Sequence, residues 1–83
     1  MKQIKKEDII QIVKKLDLDI EKPDAIDASM PLQDQGIDSL DMMNIYFELE
    51  DQFKLKISDE MLEEKDWSTI DTIVKNVNVL LSS

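Results

Sequence analysis

Ser39 is the residue of this sequence best placed to do chemistry. It lies in the segment Gly36-Ile37-Asp38-Ser39-Leu40, where a polar loop ends and a helical apolar pattern begins. A hydroxyl in the first turn of a helix has a fixed orientation near free backbone N–H groups, which suits a phosphodiester. The chain has no histidine and no cysteine, so no Ser-His or Cys-His pair can activate the hydroxyl from within. We therefore expect another enzyme to modify Ser39, unless Ser39 is only an N-terminal helix residue.

Other candidate sites in the sequence are weaker. Residues 17–21 alternate oxygen-bearing side chains as a calcium loop does, but Lys22 and Ala28 stand where the turn glycine and the bidentate glutamate belong. Neighbouring carboxylates such as Glu63 and Glu64 indicate a solvated acidic face rather than a catalytic pair. No phosphate loop, dinucleotide fingerprint or thiolate zinc site is present. We predict no catalytic residue and no metal site, and hence that the chain is not an enzyme.

The charge of the chain is negative and unevenly distributed. The 83 residues carry a net charge of −9 with no arginine, and residues 34–66 hold eleven acids against three lysines. Nucleic-acid binding needs lysine and arginine, so this composition excludes it. An acidic field attracts basic partners, although acidic surfaces also simply keep small proteins in solution. No apolar run has the length of a membrane span, and we expect a cytoplasmic monomer without stable membrane association.

The apolar periodicity predicts an all-α fold with three main helices and one short helix. Both prolines and the one glycine fall in a long stretch between the first two helices, and we expect Ile20, Ile26, Met30 and Leu32 to tuck that stretch onto the core. Ser68 and Asp71 resemble a capping box at the start of the last helix. The predicted elements are a helix over Glu7–Leu16, a loop over 17–37, a helix over Ser39–Phe53, a short helix after Ser58 and a helix opening at Ser68.

The helix over Ser39–Phe53 has two apolar stripes. The first stripe contains Met42, Ile45, Tyr46, Leu49 and Phe53 and is an ordinary core face. The second stripe contains Leu40, Met43 and Phe47. A surface helix of a small domain needs only one buried stripe, so this second stripe is not needed for the core. Asp41, Glu48 and Asp51 lie beside it, and an apolar strip with a charged rim is typical of a docking surface. The alternative is a wider buried arc.

This combination of residues resembles the acyl carrier proteins, which carry 4'-phosphopantetheine on the serine of an Asp-Ser-Leu motif. The resemblance extends from about Ile9 to Leu80. It implies a four-helix bundle, and we expect residues 1–83 to form a single carrier domain. The residues that carry it best are Leu32, Gly36, Asp38-Ser39-Leu40-Asp41, Glu50-Asp51, Phe53 and Ile57.

The resemblance implies roles for individual residues. Ser39 would be the attachment site, modified by a phosphopantetheinyl transferase. Acyl-ligase, acyltransferase and ketosynthase-type enzymes with basic docking patches would be the other partners. The residues implied in docking are Asp38, Leu40, Asp41, Met43, Phe47, Glu48, Glu50, Asp51 and Glu60. The residues implied in sheltering the acyl chain are Tyr46, Leu49, Ile57 and Leu62.

Some residues depart from the family pattern. Asn44 stands where an acid is usual, Tyr46 and Phe47 are bulky where smaller aliphatic residues are common, and the connection through Trp67 looks long. These departures leave fatty-acid, polyketide and other lipid pathways open, with an aminoacyl or peptidyl carrier as the alternative. A helical interaction module without a prosthetic group is an alternative of a different class. Trp67 itself is predicted to anchor its loop or to contact a partner at the rim.

Overall fold

The computed structural model describes residues 3–16, 18 and 25–82, and its regular elements are all helical within those ranges. The predicted all-α fold with three main helices and one short helix is therefore confirmed. Apart from Leu18, the calcium-like segment over residues 17–21 lies outside the described residues, and so does the expected core contact of Ile20. The elements are α1 (Lys6–Lys15), a 3-10 helix (Leu32–Gln35), α2 (Ser39–Phe53), α3 (Asp59–Glu64) and α4 (Ile70–Ser82).

Helix α1 begins one residue before its predicted start and ends one residue before its predicted end. The Asp8 carboxylate accepts the backbone N–H of Lys5 at 2.7 Å, so an acid satisfies one free donor at the positive end of the helix. Ile9, Ile12 and Val13 are buried. This face attaches α1 to the core, and Asn78 of α4 holds the preceding segment by bonding both backbone groups of Ile4.

Helix α2 has the predicted bounds. Its core face is the predicted one, with Met42, Ile45, Tyr46 and Leu49 buried and Phe53 half-buried. The helix ends where Lys54 adopts a left-handed conformation with φ 54° and donates its N–H to the Glu50 carbonyl oxygen. A left-handed residue after the last turn is a common helix stop.

The sequence predicted the N-terminal cap of α3 correctly but not that of α4. Ser58 caps α3 as expected, since its hydroxyl accepts the Met61 N–H at 3.2 Å. The capping box predicted for α4 is wrong. The Ser68 N–H and hydroxyl both donate to the Asp66 carboxylate, and the Thr69 hydroxyl instead accepts the Thr72 N–H at 3.0 Å.

The segment before α2 is fixed to the start of α4. Leu32 donates its N–H to the Ser68 carbonyl oxygen at 2.7 Å, and Asp71 donates to the Ala28 carbonyl oxygen at 3.0 Å. Leu32 is fully buried and Ile26 is half-buried, as expected, but Met30 is 45% exposed and does not join the core. These contacts bring the loop that precedes Ser39 next to residues 66–69.

Candidate functional site

Ser39 is exposed at the first position of α2, and its neighbours fix that position. The Asp38 carboxylate accepts the Asp41 N–H at 2.9 Å and so caps the helix. Gly36 ends the preceding 3-10 helix with φ 97°, a conformation that strains any residue with a Cβ atom. Ile37, between them, is fully buried. The turn is thus anchored on both sides of the hydroxyl that it presents.

The hydroxyl of Ser39 accepts a hydrogen bond that the sequence analysis did not predict. The side-chain amide of Gln33 donates to Ser39 Oγ at 3.3 Å. Within the described part of the chain, the backbone N–H groups of Ser39 and Leu40 have no acceptor, so they remain open to an anion at the start of α2. This arrangement can receive a phosphodiester, but it contains no histidine base that could ionise the hydroxyl.

Gln35 holds the loop that carries Gln33. Its side chain accepts the Asp27 N–H at 2.8 Å and donates to the carbonyl oxygens of Asp27 and Met30 at 2.9 and 3.0 Å. The Ser29 hydroxyl and N–H both donate to the Asp27 carboxylate, and this lowers the pKa of Asp27. In the sequence, Gln33 and Gln35 are marked only by their position in a polar stretch before Gly36. That position does not indicate which groups their side chains would bond.

A cleft of about 390 Å³ opens beside Ser39. It lies between the start of α2, the end of α3 and the connection to α4. Its lining combines exposed polar side chains with buried apolar ones. The lining residues are Gln33, Ser39, Met42, Met43, Tyr46, Leu62, Lys65, Asp66, Trp67 and Ser68.

Tyr46 and Trp67 form an aromatic pair in this cleft. Their ring centroids are 5.9 Å apart at an interplanar angle of 76°, an edge-to-face contact. The Tyr46 hydroxyl donates to the Trp67 carbonyl oxygen at 3.3 Å, and the Trp67 indole N–H donates to the Met61 carbonyl oxygen at 2.9 Å. Burial raises the pKa of Tyr46, and the nearby Asp66 charge adds to the effect. Trp67 is buried, so its predicted anchoring role is confirmed and a rim contact is wrong.

The residues implied in sheltering an acyl chain do not all meet at the cleft. Tyr46 and Leu62 line it, whereas Leu49 and Ile57 are buried core residues that do not reach its surface. Met42 and Trp67 line it instead. The sequence analysis assigned Met42 to the core and Trp67 to a loop, and both assignments are correct. It did not predict that one edge of the core lines a cleft.

The second apolar stripe of α2 is exposed. Leu40, Met43 and Phe47, here called the apolar strip, are 76%, 38% and 56% exposed. At 3.6 residues per turn, they lie within an arc of about 60° on the helix surface. The alternative of a wider buried arc is therefore wrong. The strip begins next to Ser39, and Met43 belongs both to it and to the cleft.

The carboxylates implied in docking fall into two groups. Glu48 forms an ion pair with Lys15 of α1 and accepts the Gln52 amide at 3.0 Å, while Glu50 accepts the Ile57 N–H at 2.8 Å. The contact raises the pKa of Lys15 and lowers that of Glu48 through their hydrogen bond and opposite charges.

The second group of carboxylates differs in exposure. Asp51 and Glu60 are exposed and Asp41 is half-buried. On α2, Asp51 lies about 20° around the helix from Leu40, whereas Asp41 lies about 20° from Glu48, which meets α1. Asp41, Glu48 and Asp51 fall within about 80° of the helix surface, and the Asp51 charge contributes to the raised pKa of Lys15. The three acids therefore lie near one side of α2, with Asp51 nearest to the apolar strip.

No group of three or more acidic side chains within residues 3–16, 18 and 25–82 is arranged to hold a metal ion. No helix in those ranges has the length and apolar character needed to cross a membrane.

The family model described as "Phosphopantetheine attachment site" matches residues 7–77. That range includes the Gly36–Leu40 turn, the cleft and the apolar strip. No solved structure matches the chain significantly.

Proposed function

Because the chain belongs to the phosphopantetheine attachment site family, whose members bear covalent 4'-phosphopantetheine, we propose that it is an acyl carrier protein with the arm on Ser39. The observation that carries this proposal is the position of Ser39. Its exposed hydroxyl stands at the capped start of α2, beside two unpaired N–H groups and at the mouth of a cleft. These residues fit a phosphodiester and an arm attached to it.

The cofactor explains how a chain without cysteine can carry acyl groups. When bound, 4'-phosphopantetheine supplies a thiol that holds acyl groups as thioesters. The N–H groups of Ser39 and Leu40 would hold its phosphate, and the amide of Gln33 would lie beside the ester oxygen. No residue of the chain is proposed to catalyse a reaction, and we propose that partner enzymes act on the cargo in the cytoplasm.

We propose that partners dock on the apolar strip of α2. They would include a phosphopantetheinyl transferase and the acyl-ligase, acyltransferase or ketosynthase-type enzymes of a fatty-acid, polyketide or related lipid pathway. Leu40, Met43 and Phe47 offer the apolar contact, and the exposed carboxylates Asp51 and Glu60 offer charges for a basic patch. Glu48 and Glu50 contribute less to docking in this proposal because intramolecular partners already engage them.

An aminoacyl or peptidyl carrier is the second candidate. The observation that favours it is the exposed Asp66 carboxylate in the lining of the cleft, which can pair with the ammonium group of an aminoacyl cargo. An interaction module without a prosthetic group is disfavoured by the family match.

The test is the intact mass of the chain after incubation with coenzyme A and a phosphopantetheinyl transferase. The unmodified sequence should gain the mass of one phosphopantetheine, and Ser39→Ala should gain none while keeping the helical circular dichroism spectrum. Ser68→Ala is the matched control, because Ser68 is a second serine in the same cleft, and it should be modified fully. Modification of Ser39→Ala would refute the assignment.

A further inference from the structure

The cleft beside Ser39 has a polar outer part and an apolar inner part. Gln33, Lys65 and Asp66 are exposed, whereas Tyr46 and Trp67 are only 9% and 4% exposed. The volume of about 390 Å³ is near the lower end of the roughly 300–1,000 Å³ usual for small-molecule sites. Ser39 and the two aromatic rings line the same cleft, so a group tethered at Ser39 can contact the rings there.

The aromatic pair is fixed by three contacts. The rings touch edge to face, the Tyr46 hydroxyl bonds the Trp67 carbonyl oxygen, and the indole N–H bonds the Met61 carbonyl oxygen. These contacts connect α2, the end of α3 and the connection to α4. Neither ring can turn aside without losing a hydrogen bond in a buried setting, which is costly.

The bundle interior contains the apolar residues that a long chain would need to reach. Leu49 and Ile57, together with the fully buried Ile45 and Ile73, belong to the close-packed core and do not line the cleft. Protein interiors leave little free volume, so entry of a chain requires displacement of side chains. The buried part of the cleft lining, Met42, Tyr46 and Trp67, belongs to this same core.

We propose that the Tyr46–Trp67 pair closes the bundle interior and selects short acyl groups, which rest in the cleft against the two rings. Longer aliphatic chains would protrude into solvent or pass to a partner enzyme. This inference rests on the proposed attachment of the arm to Ser39, and it names Tyr46 and Trp67 as the residues that set the length of sheltered cargo.

The experiment loads the protein with acetyl, butyryl, octanoyl and palmitoyl arms and measures retention on a hydrophobic-interaction column. Acetyl and butyryl forms should elute with the unacylated holo form, and retention should rise sharply from octanoyl to palmitoyl. Trp67 is the only tryptophan, so its fluorescence should shift on butyryl loading and change no further with palmitoyl. Palmitoyl protein that elutes with the butyryl form would overturn the proposal.

Variants of Tyr46 test the closure directly. Tyr46→Ala should let the palmitoyl chain enter and bring its retention back toward that of the butyryl form, whereas Tyr46→Phe keeps the ring and should behave as the parent. Phe53→Ala is the matched control, a half-buried aromatic of α2 outside the cleft, and its retention series should match the parent's. A folded Tyr46→Ala with unchanged palmitoyl retention would also overturn the proposal.

The loading step separates this inference from the proposed function. If no arm attaches to Ser39, the intact mass reveals it before any column is run, and the proposed function fails. If arms attach and retention is independent of chain length, only the selection by Tyr46 and Trp67 fails. If Tyr46→Ala does not fold, the length series of the parent protein decides the question alone.

Discussion

Asp38 combines a structural contact with a charge next to Ser39, the proposed attachment site. Its carboxylate caps α2 by accepting the Asp41 N–H, and the same charge is available to a basic partner. Asp38→Ala removes both, whereas Asp38→Asn keeps a good cap and removes only the charge. The two roles can therefore be separated at this residue.

We expect Asp38→Ala to lower the free energy of unfolding by about 1 kcal/mol, the usual cost of losing a cap. Asp38→Asn should leave stability close to that of the parent. Urea denaturation measures both. If both variants also slow the transferase equally, the charge matters to docking. If Asp38→Asn lost as much stability as Asp38→Ala, the prediction that an asparagine side chain can cap α2 in place of Asp38 would be wrong.

Asp66 gives a prediction about acid stability. The Ser68 hydroxyl and N–H donate to its carboxylate, and these bonds hold the pKa of Asp66 below its usual value. A carboxyl group with a lowered pKa in the folded state stabilises the fold above its unfolded pKa, near 3.9. That contribution is lost as the pH falls through the folded value.

The measurement is an NMR titration of the Asp66 carboxyl carbon. Ser68→Ala removes the hydroxyl donor but keeps the backbone N–H, so the pKa of Asp66 should rise toward its usual value without reaching it. The Asp27 titration should not move, because its donors come from Ser29. An unchanged Asp66 titration in Ser68→Ala would show that the hydroxyl bond is not formed in solution.

Helix α2 has one face in the core and one apolar face exposed to solvent, where we propose that partners dock. The core face supplies Met42, Ile45 and Leu49, while the apolar strip faces solvent from the same fifteen residues. Exposed apolar side chains add little to folding, so substitutions in the strip should change association and leave stability within about 0.5 kcal/mol.

For the strip, we expect Phe47→Ala to weaken transferase binding by about 1–2 kcal/mol with little change in salt dependence. Asp51→Lys should slow association roughly tenfold at low salt and less at high salt, because rim charges act mainly on the on-rate. Asp41→Lys should act less strongly, since Asp41 lies on the α1 side of the helix.

The control for these substitutions is Lys75→Glu on the exposed face of α4. It should leave transferase kinetics unchanged. Stopped-flow association at two salt concentrations distinguishes the effects. If Lys75→Glu impairs the transferase while Asp51→Lys does not, the docking face is on α4 rather than α2.

The whole molecule carries a net charge of −9 on 83 residues. Self-repulsion between like charges destabilises a compact state and is screened by salt. We expect the melting temperature to rise with sodium chloride, with calcium and magnesium equally effective at matched ionic strength. Calorimetric titration that showed tight stoichiometric calcium binding would contradict screening as the cause.

Several features of this protein are determined by local sequence. The bounds of α2 follow from the cap at Asp38 and the apolar periodicity that runs to Phe53, and both act within a few residues. The same periodicity revealed the second apolar stripe, Leu40, Met43 and Phe47, but it left open whether the stripe is buried, and the tertiary structure showed that it is exposed. Ser39 could be singled out because a helix start is a local event.

The cleft and the partners of the carboxylates were decided only by the tertiary structure. Tyr46 and Trp67 are 21 residues apart in the chain, and Lys15 and Glu48 are 33 apart. Periodicity shows which face of a helix is buried but not which distant side chain packs against it. Helix packing determines those contacts, and with them the lining of the cleft beside Ser39.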